Sequence, residues 1–236
     1  MNASKPAQQA ALAAGPSKAK TALGEQTRTE ILDVAEAICA REGFEGLSIR
    51  AIANVAGVNV AAISYYFGSK RQLFEAMFRR RVVPVNEERL AMLEQCRLRQ
   101  DGDYLESVIR AFITPPMKLT DFIDPSGRPA LVVMQFLARV FAMPGEDAFL
   151  LEYYEPVRSR FVEALCRGLP DLHLEDVIWR YNLMVGALIY AMAGTARMTR
   201  VPQAFPDSLP HPPASADEAI NQMVRFLSGG MRAPKA

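Results

Sequence analysis

Apolar residues recur every three or four positions along most of the chain, and no stretch alternates apolar with polar residues over a useful length. This pattern predicts an all-α fold of about nine helices. Ile31, Val34, Ala35 and Ile38 form the first buried stripe. Thr27 and Glu30 precede it with the spacing of a capping box, so the helix is expected to open at Thr27 and to stop at Gly43. Phe44 and Leu47, in the loop that follows, are placed to plug a small core. Ile49, Ile52, Ala53 and Ala56 make one face of a short second helix, with Ser48 as its N-cap. Gly57 ends it, and Asn59 caps a third helix, Val60–Phe67, that buries Ile63 and Phe67. Ser69 and Gln72 form a second capping box. They open a long helix expected to reach about Gln100, with Pro84 as a point for a kink.

Further helices are predicted at Asp103–Ile113, ended by Thr114-Pro115-Pro116, and at Pro129–Ala142, apolar on most of its surface. Two long ones follow at Glu146–Gly168, interrupted near Pro156, and at Leu174–Met198. A proline-rich loop, Val201–Pro213, leads to a last helix at Asp217–Leu227, capped by Ser215 and Glu218 and closed by Gly229-Gly230. The domain reading is a flexible tail at 1–24, a small helical domain at 25–72, a larger C-terminal helical domain at 73–230 and a tail at 231–236.

The stretch LSIRAIANVAGVNVAAISYYFGSK, Leu47–Lys70, organises this pattern. Ala53, Gly57 and Ile63 stand at the three positions a helix-turn-helix restricts most: close approach, tight turn and the angle between helices. A generic αα-hairpin meets the same spacing. Asn59, Ala61, Ala62, Ser64 and Tyr65 are left to face outward. They are small or polar, which suits a major groove about 12 Å wide.

The capped helix at Thr27-Arg28-Thr29-Glu30, the turn motif and the YYFGSK segment together resemble the N-terminal domain of the TetR/AcrR family of repressors, over about Thr27–Phe78. NVAAISYYFGSK is most similar to the fatty-acid-responsive branch named after PsrA, and the segments LVVMQFLARVF and WRYNLMVGALIYAMAG resemble that branch too. The resemblance implies a homodimeric regulator of a double-stranded DNA operator, released by a small hydrophobic effector, and no enzyme. It implies phosphate contacts for Ser48, Tyr66 and Lys70, to which Arg50 is added. Asn59, Val60, Ala61, Ala62, Ser64 and Tyr65 are the candidates to meet bases. Val60 and Ala61 stand where the family carries lysine and glycine, and Ser64 where it carries a first tyrosine.

The C-terminal half supplies candidates for an effector pocket in Phe112, Met117, Met134, Phe136, Phe141, Phe161, Trp179, Met184 and Met192. The same residues at helical spacing fit an ordinary core, and the resemblance is what favours a pocket for a long acyl chain, free or as a thioester. Arg110, Arg139 and Arg180 are candidate partners for its acidic head. Gly186, Ala187, Ala191 and Gly194 on one helix, with Ile220, Met223, Val224 and Leu227 on the last, are the candidate dimer interface. Close packing within one subunit is the alternative there.

Composition narrows the function further. The 236 residues carry a net charge of +1, but residues 1–81 hold eleven Lys and Arg against seven Asp and Glu. The sixteen basic and nineteen acidic residues of the remainder leave the motif on the positive end, the sign that attracts phosphate. Cys39, Cys96 and Cys166 are odd in number and widely spaced, which fits a reducing cytoplasm better than a disulfide framework. No apolar run is long enough for a membrane span, and the N-terminus lacks the pattern of a signal peptide. No phosphate loop, nucleophile elbow or metal cluster marks an enzyme, and no cofactor is implied. His173 and His211 lie beside prolines in expected turns. A fatty-acid-binding or scaffold protein of helical build, and a repressor answering to aromatic or drug-like compounds, are the alternative functions.

Overall fold

The computed structural model describes residues 16–98, 103–119, 148–192, 200–205, 207 and 213–234. Eight helices and no strand occur among them: α1 (Pro16–Gly46), α2 (Ile49–Ala56), α3 (Val60–Phe67), α4 (Lys70–Leu98), α5 (Tyr104–Lys118), α6 (Ala148–Gly168), α7 (Leu174–Met192) and α8 (Ala216–Met231). The chain divides into two compact units, Met1–Met77 and Phe78–Ala236, with the division inside α4.

The first unit is built on the buried stripe of α1. Ile31, Leu32, Val34, Ala35 and Ile38 are buried, as are Leu47, Ile52, Ala53, Ile63, Phe67, Leu73, Phe74 and Met77. Phe44 meets Phe74 edge to face, with ring centroids 4.9 Å apart. Thr27 does not open α1. Its hydroxyl donates to the carbonyl of Leu23, 3.0 Å away, and Glu30 accepts from the Gln26 amide. The helix starts at Pro16, a residue suited to a first turn because its missing N–H has no partner to lose there. Ala19, Ala22 and Leu23 are good helix formers, so the spacing at Thr27 falls mid-helix. The expected tail at 1–24 thus overlaps α1, and its residues 1–15 lie outside the described residues. Gly43 breaks the helical path as expected, at φ 76° and ψ −177°.

The second unit packs α8 mainly on α5, which also meets α6 and α7. Val108, Ile109, Phe112 and Ile113 of α5 face Phe161 and Leu165 of α6, Val177, Tyr181 and Met184 of α7, and Ile220 and Val224 of α8 across a common buried interior. Ser215 Oγ caps α8 as expected by accepting from Glu218 N at 3.1 Å, and the Glu218 carboxylate reaches back to accept from Ala214 N at 2.7 Å. Asp103 caps α5 through Glu106 N, 3.1 Å away, and also pairs with Arg232.

Two expected helix ends and one expected interruption are corrected. α5 runs through Pro115 and Pro116 to Lys118. Pro116 has no N–H for the carbonyl of Phe112, and the Nε of buried Arg89 supplies the missing donor at 2.8 Å. α6 likewise runs through Pro156. α8 passes Gly229 and Gly230 and ends at Met231, whose carbonyl accepts from Arg180. The expected helix at Pro129–Ala142 and the end of the one predicted to reach Met198 lie outside the described residues.

Candidate nucleic-acid interface and ligand core

The turn between α2 and α3 is closed by the backbone. Gly57 sits at φ 68° and ψ 26°, a left-handed conformation that glycine adopts without steric cost, and its N–H bonds back to Ala53 O. Val58 N adds a second bond to the same carbonyl at 3.0 Å. Ser48 Oγ caps α2 by accepting from Ala51 N at 3.4 Å, and Asn59 Oδ1 caps α3 by accepting from Ala62 N at 2.6 Å. Ile63 and Phe67 turn inward. This leaves Val60, Ala61, Ser64 and Tyr65 exposed along α3, with Tyr65 at 84 % exposure. Ala62 and Tyr66 are half-buried, and Ser48, Arg50 and Asn59 are exposed.

The caps change what two of these side chains offer. The Asn59 oxygen is occupied, so its amide N–H groups are what it has left to present. The Ser48 hydroxyl accepts in its cap and keeps its hydrogen for donation. Tyr66 lies edge-on to Tyr65 at 5.3 Å, and its hydroxyl lies 3.5 Å from where a Cβ on Gly24 would stand. Lys70 reaches over the Phe44 ring at 4.6 Å and donates to Glu45 O at 3.4 Å. Both contacts are made by the ammonium, which keeps further donors.

The candidate pocket residues separate into three groups. Phe112, Phe161, Met117, Met184 and Met192 are buried together in the second unit, and the Phe112 ring meets Phe161 at 5.1 Å and Tyr181 at 5.4 Å. Met134, Phe136 and Phe141, with Arg139, lie outside the described residues. Trp179 is corrected: it is 69 % exposed on α7 and lines no interior. Its stripe faces out because Val177, Tyr181 and Met184 already occupy the inward face. Arg110 is half-buried on α5, and Arg180 is committed to the α8 end.

The candidate dimer residues also need correction. Ala191, Ile220, Val224 and Leu227 are buried within the chain itself, because the apolar face of α8 is laid on α5. Met223 and Ala187 are half-buried, Gly186 is exposed, and Gly194 lies outside the described residues. The surface instead carries Trp179, Leu183, Gly186 and Tyr190 along one face of α7, and Phe226, 76 % exposed, on α8. Arg180, Leu183, Ala187, Phe226 and Gly230 line a groove between the two helices.

Arg89, on α4, went unnoticed in the sequence and is 3 % exposed. Its guanidinium lies 4.1 Å from the Phe112 ring centroid, donates to Phe112 O, and reaches Asn86 Oδ1 at 3.3 Å. Asn86 in turn donates to Tyr153 O at 2.9 Å. Burial pushes the Arg89 pKa down and the Tyr154 pKa well up. The Tyr181 phenol is raised to about 12, chiefly by burial, with Arg89 acting in the opposite sense. The signal was present: Val82, Val85, Arg89, Leu93 and Cys96 follow helical spacing, and Arg89 stands in the buried stripe.

Among the described residues no helix is long and apolar enough to cross a membrane, and no group of His, Cys, Asp and Glu is placed to hold a metal ion. No curated protein matches the chain. Solved structures with the same fold include the ketosteroid transcriptional regulator KstR2 of Mycobacterium tuberculosis, 19 % identical with a TM-score of 0.55 over 86 % of this chain and 93 % of that one. HlyIIR, a hemolysin II transcriptional regulator, is 18 % identical, with a TM-score of 0.55 over 86 % and 97 %. A TetR-family regulator from Shewanella sp. PV-4 is 16 % identical, with a TM-score of 0.55 over the same shares. Residues 31–77 match the family model of bacterial regulatory proteins of the tetR family, and residues 110–230 match that of the tetracyclin repressor-like C-terminal domain. The second match alone takes in half of the chain, and with the helix-turn-helix built around Gly57 it makes this protein a member of the TetR family, whose proteins are DNA-binding transcriptional regulators and not enzymes.

Proposed function

We propose that the chain acts as a homodimeric repressor of a palindromic operator, released by an apolar effector bound in the second unit. The observation that carries this reading is the outward face of α3, small or polar at Ala61, Ala62 and Ser64, flanked by exposed Val60 and Tyr65 and backed by buried Ile63 and Phe67. On it, Ala61, Ala62 and Ser64 allow close approach to base edges, and the Asn59 amide donates to an acceptor there. Ser48, Arg50, Tyr66 and Lys70 hold the phosphates on either side. The exposed apolar faces of α7 and α8 supply the partner contact, with Leu183, Tyr190 and Phe226 at its centre.

The effector is a long-chain acyl compound. The buried cluster of Phe112, Phe161 and Met184 supports it, as does the similarity of NVAAISYYFGSK to the fatty-acid-responsive branch. Each methylene taken from water contributes about 0.8 kcal/mol, so affinity climbs with chain length until the space is full. To release DNA the ligand must prefer the state that cannot bind the operator. Calorimetry across a chain-length series, run beside operator binding at fixed salt, tests both parts. The expected result is rising affinity with falling operator occupancy. Binding without operator release refutes the switch. Release by aromatic compounds alone refutes the acyl assignment.

A further inference from the structure

The interior of the second unit holds a full positive charge. Arg89 is buried, yet among the described residues no carboxylate pairs with it. A guanidinium has five N–H donors. The Phe112 carbonyl takes Nε and the Asn86 amide oxygen takes one from Nη1. Both acceptors are neutral. Taking an uncompensated guanidinium out of water is costly, and a neutral carbonyl returns only part of that cost.

The surroundings are those of an anion site. Tyr181 packs edge-on against the same Phe112 ring that Arg89 covers, with centroids 5.4 Å apart, and burial raises the pKa of both the Tyr181 and Tyr154 phenols, favouring the neutral form that donates hydrogen bonds. Phe112 and Phe161 supply apolar wall beside the charge. A planar oxyanion suits such a fork of donors, and an apolar body attached to it suits the rings around it.

Building on the effector reading above, we infer that Arg89, with Tyr154 and Tyr181, holds the negatively charged head of the effector, which is therefore a free carboxylic acid on an apolar body rather than a neutral ester or alcohol. Arg89 also bridges α4 to the Phe112 carbonyl that Pro116 leaves without a helix donor. A carboxylate drawing the guanidinium toward itself competes with that bridge. Head-group binding and the α4–α5 contact are linked through one side chain.

The test is calorimetry of the full chain with saturated fatty acids from octanoate to hexadecanoate and with their methyl esters. The wild type is expected to bind the best acid at least about tenfold tighter than its ester, the scale of one charge-assisted contact. Arg89→Gln keeps a donor for the Phe112 carbonyl and removes the charge. It is expected to bind acid and ester within about twofold of each other, with ester affinity unchanged. Arg89→Lys is expected to retain a preference for the acid. Should Arg89→Gln fail to fold, the acid-to-ester ratio of the wild type decides by itself. Equal affinity of the wild type for acid and ester, with both releasing operator, overturns the anion site and leaves the apolar effector standing. A preference that survives in a folded Arg89→Gln variant overturns the assignment to this residue. Failure of every acid and ester to bind overturns both the anion site and the acyl effector.

Discussion

Lys70 is the side chain for which the proposed phosphate contact is most directly tested. Its ammonium is held over the Phe44 ring and at the Glu45 carbonyl, so part of the side chain's rotamer entropy is already lost before any phosphate contact. Lys70→Ala is expected to weaken binding to all DNA sequences alike and to lower the salt slope by about one unit per half-site. Operator and random-sequence titrations at several salt concentrations measure both. An unchanged slope removes Lys70 from the contact. Tyr181 supports a second prediction at this scale. Its phenol is raised from 10.0 to about 12 in the folded chain, so the unfolded chain loses that proton first. The stability this provides is complete below pH 10 and is lost as the pH rises toward 12. Tyr181→Phe is expected to flatten that part of the alkaline stability profile, by a loss on the order of 2 kcal/mol. An identical profile in the variant contradicts it. Individual residues were also where sequence reading met its limits. Gly57, Ser48 and Asn59 were legible because each acts on backbone groups within four residues. Arg89 stands in a legible buried stripe, but its role was not legible, because its partner carbonyl lies on another helix and its charge marks it for the surface.

At the scale of elements, local rules held where an end is decided locally. The α8 start at Ser215 and the α2–α3 turn at Gly57 are of this kind. Ser215→Ala removes the acceptor for Glu218 N and is expected to destabilise the second unit by about 1 kcal/mol. Gly57→Ala meets no atom within 4 Å, so only the left-handed backbone resists it. The expected cost is about 1–2 kcal/mol. Denaturant unfolding of each variant reports both, and a neutral Gly57→Ala contradicts the turn geometry in solution. Local rules failed where distant residues decide. Pro115-Pro116 reads as a stop because the orphaned carbonyl has no local donor, and Arg89 supplies one from another helix. Ile220, Val224 and Leu227 read as an interface because an apolar stripe looks the same whether its own chain or a second copy covers it. α5 covers it here.

For the whole molecule, the all-helical architecture was legible from periodicity and caps alone. The exposed apolar face of α7 was not, since only packing tells which face of a helix is left over. That leftover face gives a direct prediction. Phe226→Glu and Leu183→Glu place charge on exposed apolar surface and are expected to leave the fold intact while raising the dimer dissociation constant by at least about tenfold. Sedimentation at micromolar concentration distinguishes the species. Undiminished dimers in both variants move the interface elsewhere.

The central claim is that two copies of α3 read a two-fold symmetric duplex. Selection of binding sites from a random DNA pool by the purified full chain measures this most directly. The account predicts enrichment of an inverted repeat, with half-site centres about 34–36 Å apart along the helix axis. Enrichment of a single unrepeated site, or of no sequence above the starting pool, contradicts it.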